Sequence, residues 1–446
     1  MRCFARLSLS SEPARNYGVE SSKLEEFAQS NSEKRATKAE ILAYYQSLLD
    51  GWQAKGHDVQ FVGDASYDFE KGAYTKGGGG DAIAATAAKR VVDARYTAND
   101  IPLFVPPRFQ YSADKLDLIP PNALPARDKA SAAQRGYVVL GAGKTGQDTM
   151  LYLREVLEVP AERIRWVMPT APWITCRDPP SGMKQNTCME FLSVLLDAHE
   201  AAGSPPGAAQ TADFLQRGFE RLAAEGNLYQ IDPSARPTKF MDATLNSREV
   251  AVLQACAPCI VHGMGRVASI SDEGSLTFAD GSVVAPPSSS ADTTFVHCTA
   301  GAFNFGGSAS EAHKPIFSNE KLITIQEVFQ FPGFCFNGAT IAWLECQAGM
   351  SLEAKNALCE MPPPGEPDAA PPPLGPVAGD IGALDAGHPL LVSLRNLRRW
   401  YATPGMGEWL HQLRLFSLTM NGYSLEEGKA LADANHKRLV AAGVEK

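Results

Sequence analysis

The chain has 446 residues, 44% hydrophobic and 20% charged, which is enough for two or three domains around a large core. A net charge of −9, with no basic tract and no interleaving of basic and aromatic residues, excludes nucleic acid as an expected partner. No apolar run approaches the roughly 18 residues that a membrane-spanning helix needs, and the opening Met1-Arg-Cys-Phe-Ala-Arg-Leu7 has no apolar secretory core and reads as a strand.

Along the first 130 residues the pattern is mixed α and β. The spacing of Ile41, Tyr44, Tyr45, Leu48 and Trp52 predicts a helix over Lys38–Lys55. Asp58–Val62 and Lys89–Ala94 read as strands, and Gly77–Gly80 as a flexible turn. Proline-rich Ile101–Pro125 reads as an extended connector.

The segment Gly136-Tyr-Val-Val-Leu-Gly-Ala-Gly-Lys-Thr-Gly146 carries the strongest signal. An apolar strand, Tyr137–Leu140, runs into Gly141-x-Gly143-x-x-Gly146, and a helix follows with Met150, Leu153, Val156 and Leu157 on one face. Strand, glycine turn and helix form the context of a dinucleotide fingerprint. Gly141 permits the tight turn, Gly143 lets backbone approach a diphosphate, and Gly146 lets helix and strand pack closely. Gly141, Ala142, Gly143, Lys144, Thr145 and Gly146 are therefore the expected cofactor-binding residues, with the anion on free N–H groups at the helix start. Lys144 opposes the helix dipole there, which a nearby phosphate would account for, as would a solvated surface position. Thr145 can donate its hydroxyl to the same anion. A P-loop needs a glycine where Val138 stands inside the strand, so that reading is set aside.

The second strand, Arg163–Met168, ends in Met168-Pro169-Thr170 and offers no carboxylate for a ribose hydroxyl, which argues against NAD. Arg177 is a candidate partner for a 2′-phosphate; its bland alternative is a surface arginine beside Asp178. NADP, or else NAD, is the expected cofactor.

Asn186–Glu200 and Thr211–Glu225 read as a helical insertion broken at Gly203–Gly207. The nine cysteines show no framework, which fits a reducing compartment and a cytoplasmic location. Cys256-Ala-Pro-Cys259 follows a helical pattern and precedes a strand, the reverse of a thioredoxin-like arrangement, and reads as structural. Leu276–Val284 reads as a hairpin about Asp280-Gly281, and Thr293–Cys298 as a strand. Further on, a helix is predicted near Gly338–Ala357, an exposed linker over Met361–Gly379, and helix over Arg395–Leu418 interrupted at Thr403-Pro-Gly405. Trp400 and Trp409 read as packing residues, and His262 and His297 as packed or capping residues on apolar strands. No metal-ligand spacing, no G-x-S-x-G elbow and no carboxylate pair stands out, the pattern of an enzyme whose cofactor carries the chemistry.

Five segments together resemble flavin-dependent monooxygenase-like FAD/NAD(P)-binding oxidoreductases. Ala14–Ser21 is similar to the segment after the FAD unit, Arg90–Tyr96 to the strand leaving the FAD domain, Gly141–Asp148 with Arg163–Trp173 to the NAD(P) unit, Val296–Gly301 to the strand returning to the FAD domain, and Leu394–Leu418 to the closing helices. The resemblance implies an α/β fold with two Rossmann-like, three-layer dinucleotide domains. It divides the chain into 1–130 (FAD-type, partial), 131–290 (NAD(P)-binding with the insertion) and 291–446 (return to the FAD-type domain plus closing helices). The family's first G-x-G-x-x-G precedes the segment matching Asn16-Tyr17. Here the fifteen residues before Asn16 hold no glycine, so that domain is expected to be incomplete and FAD binding weakened. By resemblance, NAD(P)H bound over Gly141–Gly146 reduces a flavin that oxygenates a small-molecule substrate. The alternatives are a non-catalytic relative that binds a nucleotide without FAD, and an NAD(P)-only dehydrogenase.

Overall fold

A computed structural model describes residues 13–24, 35–77, 83–84, 89–95, 102–103, 106–179, 188–203, 212–262, 264–299, 314–329, 333–361, 379–380, 388–420 and 422–446. Helix α1, Lys38–Ala54, begins at a capping box in which the Thr37 hydroxyl accepts from the Glu40 N–H and the Glu40 carboxylate from the Thr37 N–H. It buries Tyr44 and Leu48 against Ala14, Leu24 and Ala36. That small cluster ends at Leu48, so Trp52, predicted on the same face, is exposed. The predicted strand at 58–62 does not form: it has no pairing partner among the described residues, and Phe61 is 61% exposed. Strands β1 (Ala65–Asp68), β2 (Ala73–Lys76) and β3 (Ile83–Ala84) make an antiparallel meander. Gly77 closes β2 in a turn at φ 47°; residues 78–80 of the predicted glycine turn lie outside the described residues. Strand β4, Val91–Asp93, lies where a strand was predicted.

The predicted connector over 101–125 is instead interrupted by strand β5, Asp117–Ile119, and a 3-10 turn, Pro121–Ala126. A single turn, α2 (Lys129–Ala132), leads into β6, Gly136–Leu140, buried along its whole length. Helix α3, Lys144–Leu151, continues into one π-helical turn, Tyr152–Val156. Met150, Leu153 and Leu157 face the core as expected; the wide turn brings Leu157 inward and leaves Val156 46% exposed. Then come β7 (Ile164–Met168) and β8 (Pro172–Cys176), and the insertion helices α4 (Cys188–Ala201), which runs one residue past its predicted end, and α5 (Ala212–Ala224), within its predicted bounds. These two approach so closely at Gly218 that a Cβ there would collide with the Leu195 side chain. Strands β9 (Leu228–Gln230) and β10 (Lys239–Leu245) precede α6, Ser247–Gln254, whose capping box pairs Asn246 with Glu249. Strand β11 is Ile260–His262. Strands β12 (Val267–Ile270), β13 (Leu276–Phe278) and β14 (Val283–Val284) form a second meander that includes the predicted hairpin, with Gly281 at φ 84°. Strand β15, Thr293–His297, follows.

Beyond it lie β16 (Leu322–Thr324), paired parallel to β4, then α7 (Phe334–Glu345) and α8 (Leu352–Ala357). The continuous helix predicted over 338–357 is broken because Ser351 caps a new start at Ala354 N–H. Residues 362–378 of the predicted linker lie outside the described residues. Strand β17 is Gly379–Asp380. Helices α9 (Pro389–Ala402), α10 (Met406–Leu410), α11 (Arg414–Thr419) and α12 (Leu425–Ala441) close the fold, and Gly405, at φ 77°, makes the predicted break. Trp400 is fully buried, and Trp409 packs on Trp343 with ring centroids 5.6 Å apart.

The central sheet is parallel throughout, in the order β11-β7-β6-β15-β5. Counting from β6, its first four strands follow the order 3-2-1-4 of a mononucleotide-binding unit. Its two faces carry different layers. Val139, Trp166, Met168 and Val296 pack with Met150, Leu153, Val250 and Leu253 of α3, its π turn and α6. Val138, Leu140, Val167 and Phe295 pack with Ile270, Leu276 and Phe278 of the meander. The architecture is thus α/β with three layers, one of them a β meander. The sheet draws β5 from before residue 130 and β15 from after 290. A second sheet, β17-β10-β8-β9, borders the helical core built from α4, α5, α7 and the closing helices. Among the described residues no helix is long and apolar enough to cross a membrane.

Candidate functional site

Strand order reverses between β6 and β15, so the crevice beyond their carboxyl ends is where an open α/β sheet takes its ligand. The glycine turn lies at that point. Gly141 sits at φ 124°, and a Cβ on it would lie 2.9 Å from the Cys298 carbonyl oxygen at the end of β15. A Cβ on Gly146 would fall inside the Gly141 carbonyl oxygen and 3.0 Å from its carbonyl carbon. The helix therefore leaves the strand at the closest approach that backbone allows. The Gly141 carbonyl is taken by the Trp166 indole N–H at 2.9 Å, which fixes the turn from inside the sheet. Gly143 is the N-cap of α3, with no side-chain cap hydrogen bond, so the first amides of the helix are left to another acceptor.

Lys144 is buried and ion-paired with Asp148 one turn on. The Gln147 amide donates to the Ala142 carbonyl at 3.0 Å, holding the loop from the helix side. Thr145, half-buried, supplies its carbonyl to the Thr149 hydroxyl at 2.8 Å, and that hydroxyl lies 3.4 Å from the Cys298 thiol. Burial pushes the Cys298 thiol up to about 12, so it stays protonated. His297 on the opposite face pairs its Nδ1 with the Thr299 hydroxyl at 3.0 Å and stands edge-on to Phe109. Burial lowers its imidazole to about 4, so it is neutral near pH 7.

Arg177 is neither at the surface nor turned to Asp178. Its side chain is 8% exposed; one guanidinium nitrogen bonds Glu249 at 2.7 Å and another the Thr244 carbonyl at 2.8 Å. The alternative of a surface arginine beside Asp178 is thus overturned, and for the candidate role, contact with a 2′-phosphate, this pair would first have to part. Asp178 instead accepts from the Ser247 N–H and hydroxyl at the start of α6. Glu249 also pairs with Arg35 at 2.9 Å. Burial alone would raise its carboxyl pKa; Arg177, the Asn246 N–H and Arg35 outweigh burial and hold it below the usual range. Sequence reading missed Arg35 and Glu249. The one local signal, the Asn246-x-x-Glu249 capping box, marks a helix start and not an ion pair, and no local pattern joins residues 35, 177 and 249.

His262, read as packed or capping, is half-buried at the tip of β11, with Nε2 2.7 Å from Asp232 Oδ2. Cys256 and Cys259 are buried, their thiols donating to the Val252 and Ala161 carbonyls. Their shared contact lowers Cys256 and raises Cys259.

The tight backbone packing at Gly141 and Gly146 fixes the turn, and the uncapped amides beyond Gly143 fit an anionic group such as the diphosphate of a dinucleotide.

No family model matches the chain. It is similar to the uncharacterized protein Mb2023 of Mycobacterium bovis and to the uncharacterized proteins MT2056 and Rv2000 of Mycobacterium tuberculosis. Each is 29% identical over 380 residues, a span of 85% of this chain and 62% of the relative. The chain thus spans less than two thirds of the length of the curated relatives it matches. Among solved structures it is similar to a cyclohexanone-bound cyclohexanone monooxygenase in its rotated conformation, with 12% identity, a TM-score of 0.38, and 98% of this chain and 89% of that chain covered. Neither likeness assigns a role to any residue.

Proposed function

We propose that this chain binds a nicotinamide dinucleotide, NADPH or NADH, with its diphosphate over Gly141–Gly146, and that it is an oxidoreductase acting on a small-molecule substrate. One observation carries the reading: the uncapped start of α3 at Gly143, held against β6 by the Gly141–Gly146 contact, opens at the strand-order switch. Gly143 gives the anion close main-chain approach, while Gly141 and Gly146, with Ala142 between them, set the turn and pack the helix against the sheet. Lys144 and Thr145 lie in the first helical turn beside it. The dinucleotide, when bound, supplies hydride; the residues supply position. Trp166 and Gln147 keep the turn rigid, and neutral His297 and the protonated Cys298 thiol add no charge at the end of β15.

The fuller reading, a flavin-dependent and monooxygenase-like enzyme, is supported by the five matching segments. The second reading is a nucleotide-binding protein without flavin chemistry. It needs only the one nucleotide turn at Gly141–Gly146. Absorbance of the purified protein and its melting with each nucleotide separate them. A yellow protein that consumes NADPH supports the flavin enzyme. A colourless one whose melting temperature rises with NADPH or NADH but not with FAD supports the second. No rise with either reduced dinucleotide overturns the nucleotide site.

A further inference from the structure

The strand that should end in a carboxylate for the adenosine ribose, β7, ends in Met168-Pro169-Thr170. The next strand outward ends in a histidine backed by a carboxylate. Register places that histidine at the ligand-binding edge. Leu140 pairs with Val167 and Val167 with Val261, so His262 stands level with Gly141. Two strand spacings, about 10 Å, separate it from the glycine turn. It lies on the β7 side, away from β15, which is the side toward which a diphosphate on this turn extends its adenosine.

The chemistry of the pair is set by Asp232. Its Oδ1 accepts from the Ser234 hydroxyl at 2.6 Å and from the Ser234 N–H at 2.8 Å, and its Oδ2 faces His262 Nε2. The Ser234 hydroxyl bond, with the Ser234 N–H and His262, lowers its pKa against the opposing effect of burial. An ionised carboxylate only accepts, so Nε2 must carry the proton, and a neutral ring then presents Nδ1 as an acceptor. No other described residue bonds the ring, whose side chain is 28% exposed.

We propose that His262, oriented by Asp232, accepts a hydrogen bond from the adenosine ribose 2′-hydroxyl of the bound dinucleotide, so that the site selects NADH over NADPH. This rests on the nucleotide site proposed above. A 2′-phosphate brings no proton at this position and meets a lone pair with a carboxylate behind it, while a 2′-hydroxyl donates to that lone pair. Asp232 is a positioning residue; its charge also repels the extra phosphate.

The test is direct titration of NADH and NADPH at pH 8 into the wild type and into Asp232→Asn and His262→Phe variants, with melting curves to confirm folding. The expected wild type binds NADH at least about tenfold more tightly than NADPH. Asp232→Asn, which frees the tautomer and removes the charge, is expected to bring the two within about threefold. His262→Phe keeps a ring but no acceptor, and is expected to weaken NADH about tenfold with little change for NADPH. Equal or tighter NADPH binding by the wild type overturns the proposal, as does a wild-type ratio unchanged in both variants; in each case the nucleotide site stands. Binding of neither dinucleotide removes both.

Discussion

Gly146 lies so close to Gly141 that the carbonyl oxygen of one occupies the place of the other's missing Cβ. A methyl group at 146 must push helix α3 off strand β6. Gly146→Ala is expected to destabilise by about 1–3 kcal/mol through overpacking and to weaken NADPH or NADH binding with it. Gly143→Val, at the uncapped helix start, is expected to stay folded and lose nucleotide affinity. Paired melts and titrations check both. Unchanged affinity in folded Gly143→Val removes the diphosphate from this turn.

Glu249 between Arg35 and Arg177 is a buried charge with two partners. Glu249→Gln leaves both guanidinium groups without it and is expected to cost about 3–5 kcal/mol at pH 7. The folded carboxyl pKa is lowered, so its contribution is present above the unfolded value of about 4.3 and fades as pH falls through the lower folded value. Urea melts at pH 7 and at acid pH should show the wild-type advantage shrinking toward acid.

For His297 the sign is the same but the window differs. Its folded pKa of about 4 lies below the unfolded value of about 6.5, so the unfolded chain takes up the proton first as pH falls. Stability is lost progressively between those values, by at most ~3 kcal/mol. His297→Gln should flatten that part of the stability profile, and an NMR titration of the imidazole reads the shift directly. A midpoint near 6.5 contradicts the burial argument.

Arg414 holds the segment before α1 to the closing helices. Its guanidinium bonds the Arg15 and Tyr17 carbonyls, while Glu20 accepts from the Arg414 and Leu415 N–H groups. Arg414→Ala is expected to cost about 2–3 kcal/mol and to speed proteolysis near residues 14–24. Mass mapping of limited digests checks this, and an unchanged cleavage pattern contradicts the clamp.

Among the described cysteines Cys346 is exposed, whereas Cys256, Cys259, Cys298 and Cys359 are buried. Of these described cysteines, Cys346 is expected to be alkylated first in the folded protein. The 256/259 pair should react only on unfolding, despite the lowered thiol of Cys256, because access and not basicity limits it. Early modification of Cys256 would show that α6 opens locally.

The elements legible in the sequence are those whose pattern is local. Tyr137–Leu140, the glycine turn, the hairpin at Asp280-Gly281 and the two insertion helices each carry their signal within a dozen residues. β5 was hidden because three residues, Asp117-Leu-Ile119, are no pattern by themselves; β15 makes them a strand. α12 was missed although Ser424-x-x-Glu427 marks its start with a capping box. At the site, the backbone cradle was readable because glycine has few reasons to recur at that spacing. Arg35 with Glu249, and Asp232 with His262, were not, since tertiary folding alone joins them.

The Thr294 hydroxyl donates to Asp117 at 2.6 Å across 177 residues of chain. β15 lies between β6 and β5, so neither of those two edges is covered until the chain has run on from β6 to residues 293–297. A chain that already holds the glycine loop must carry this open edge of β6 through helices α3, α4, α5 and α6 and the meander. Late closure of that gap, and not formation of the loop, is therefore the expected point of greatest exposure to edge-to-edge pairing with another chain.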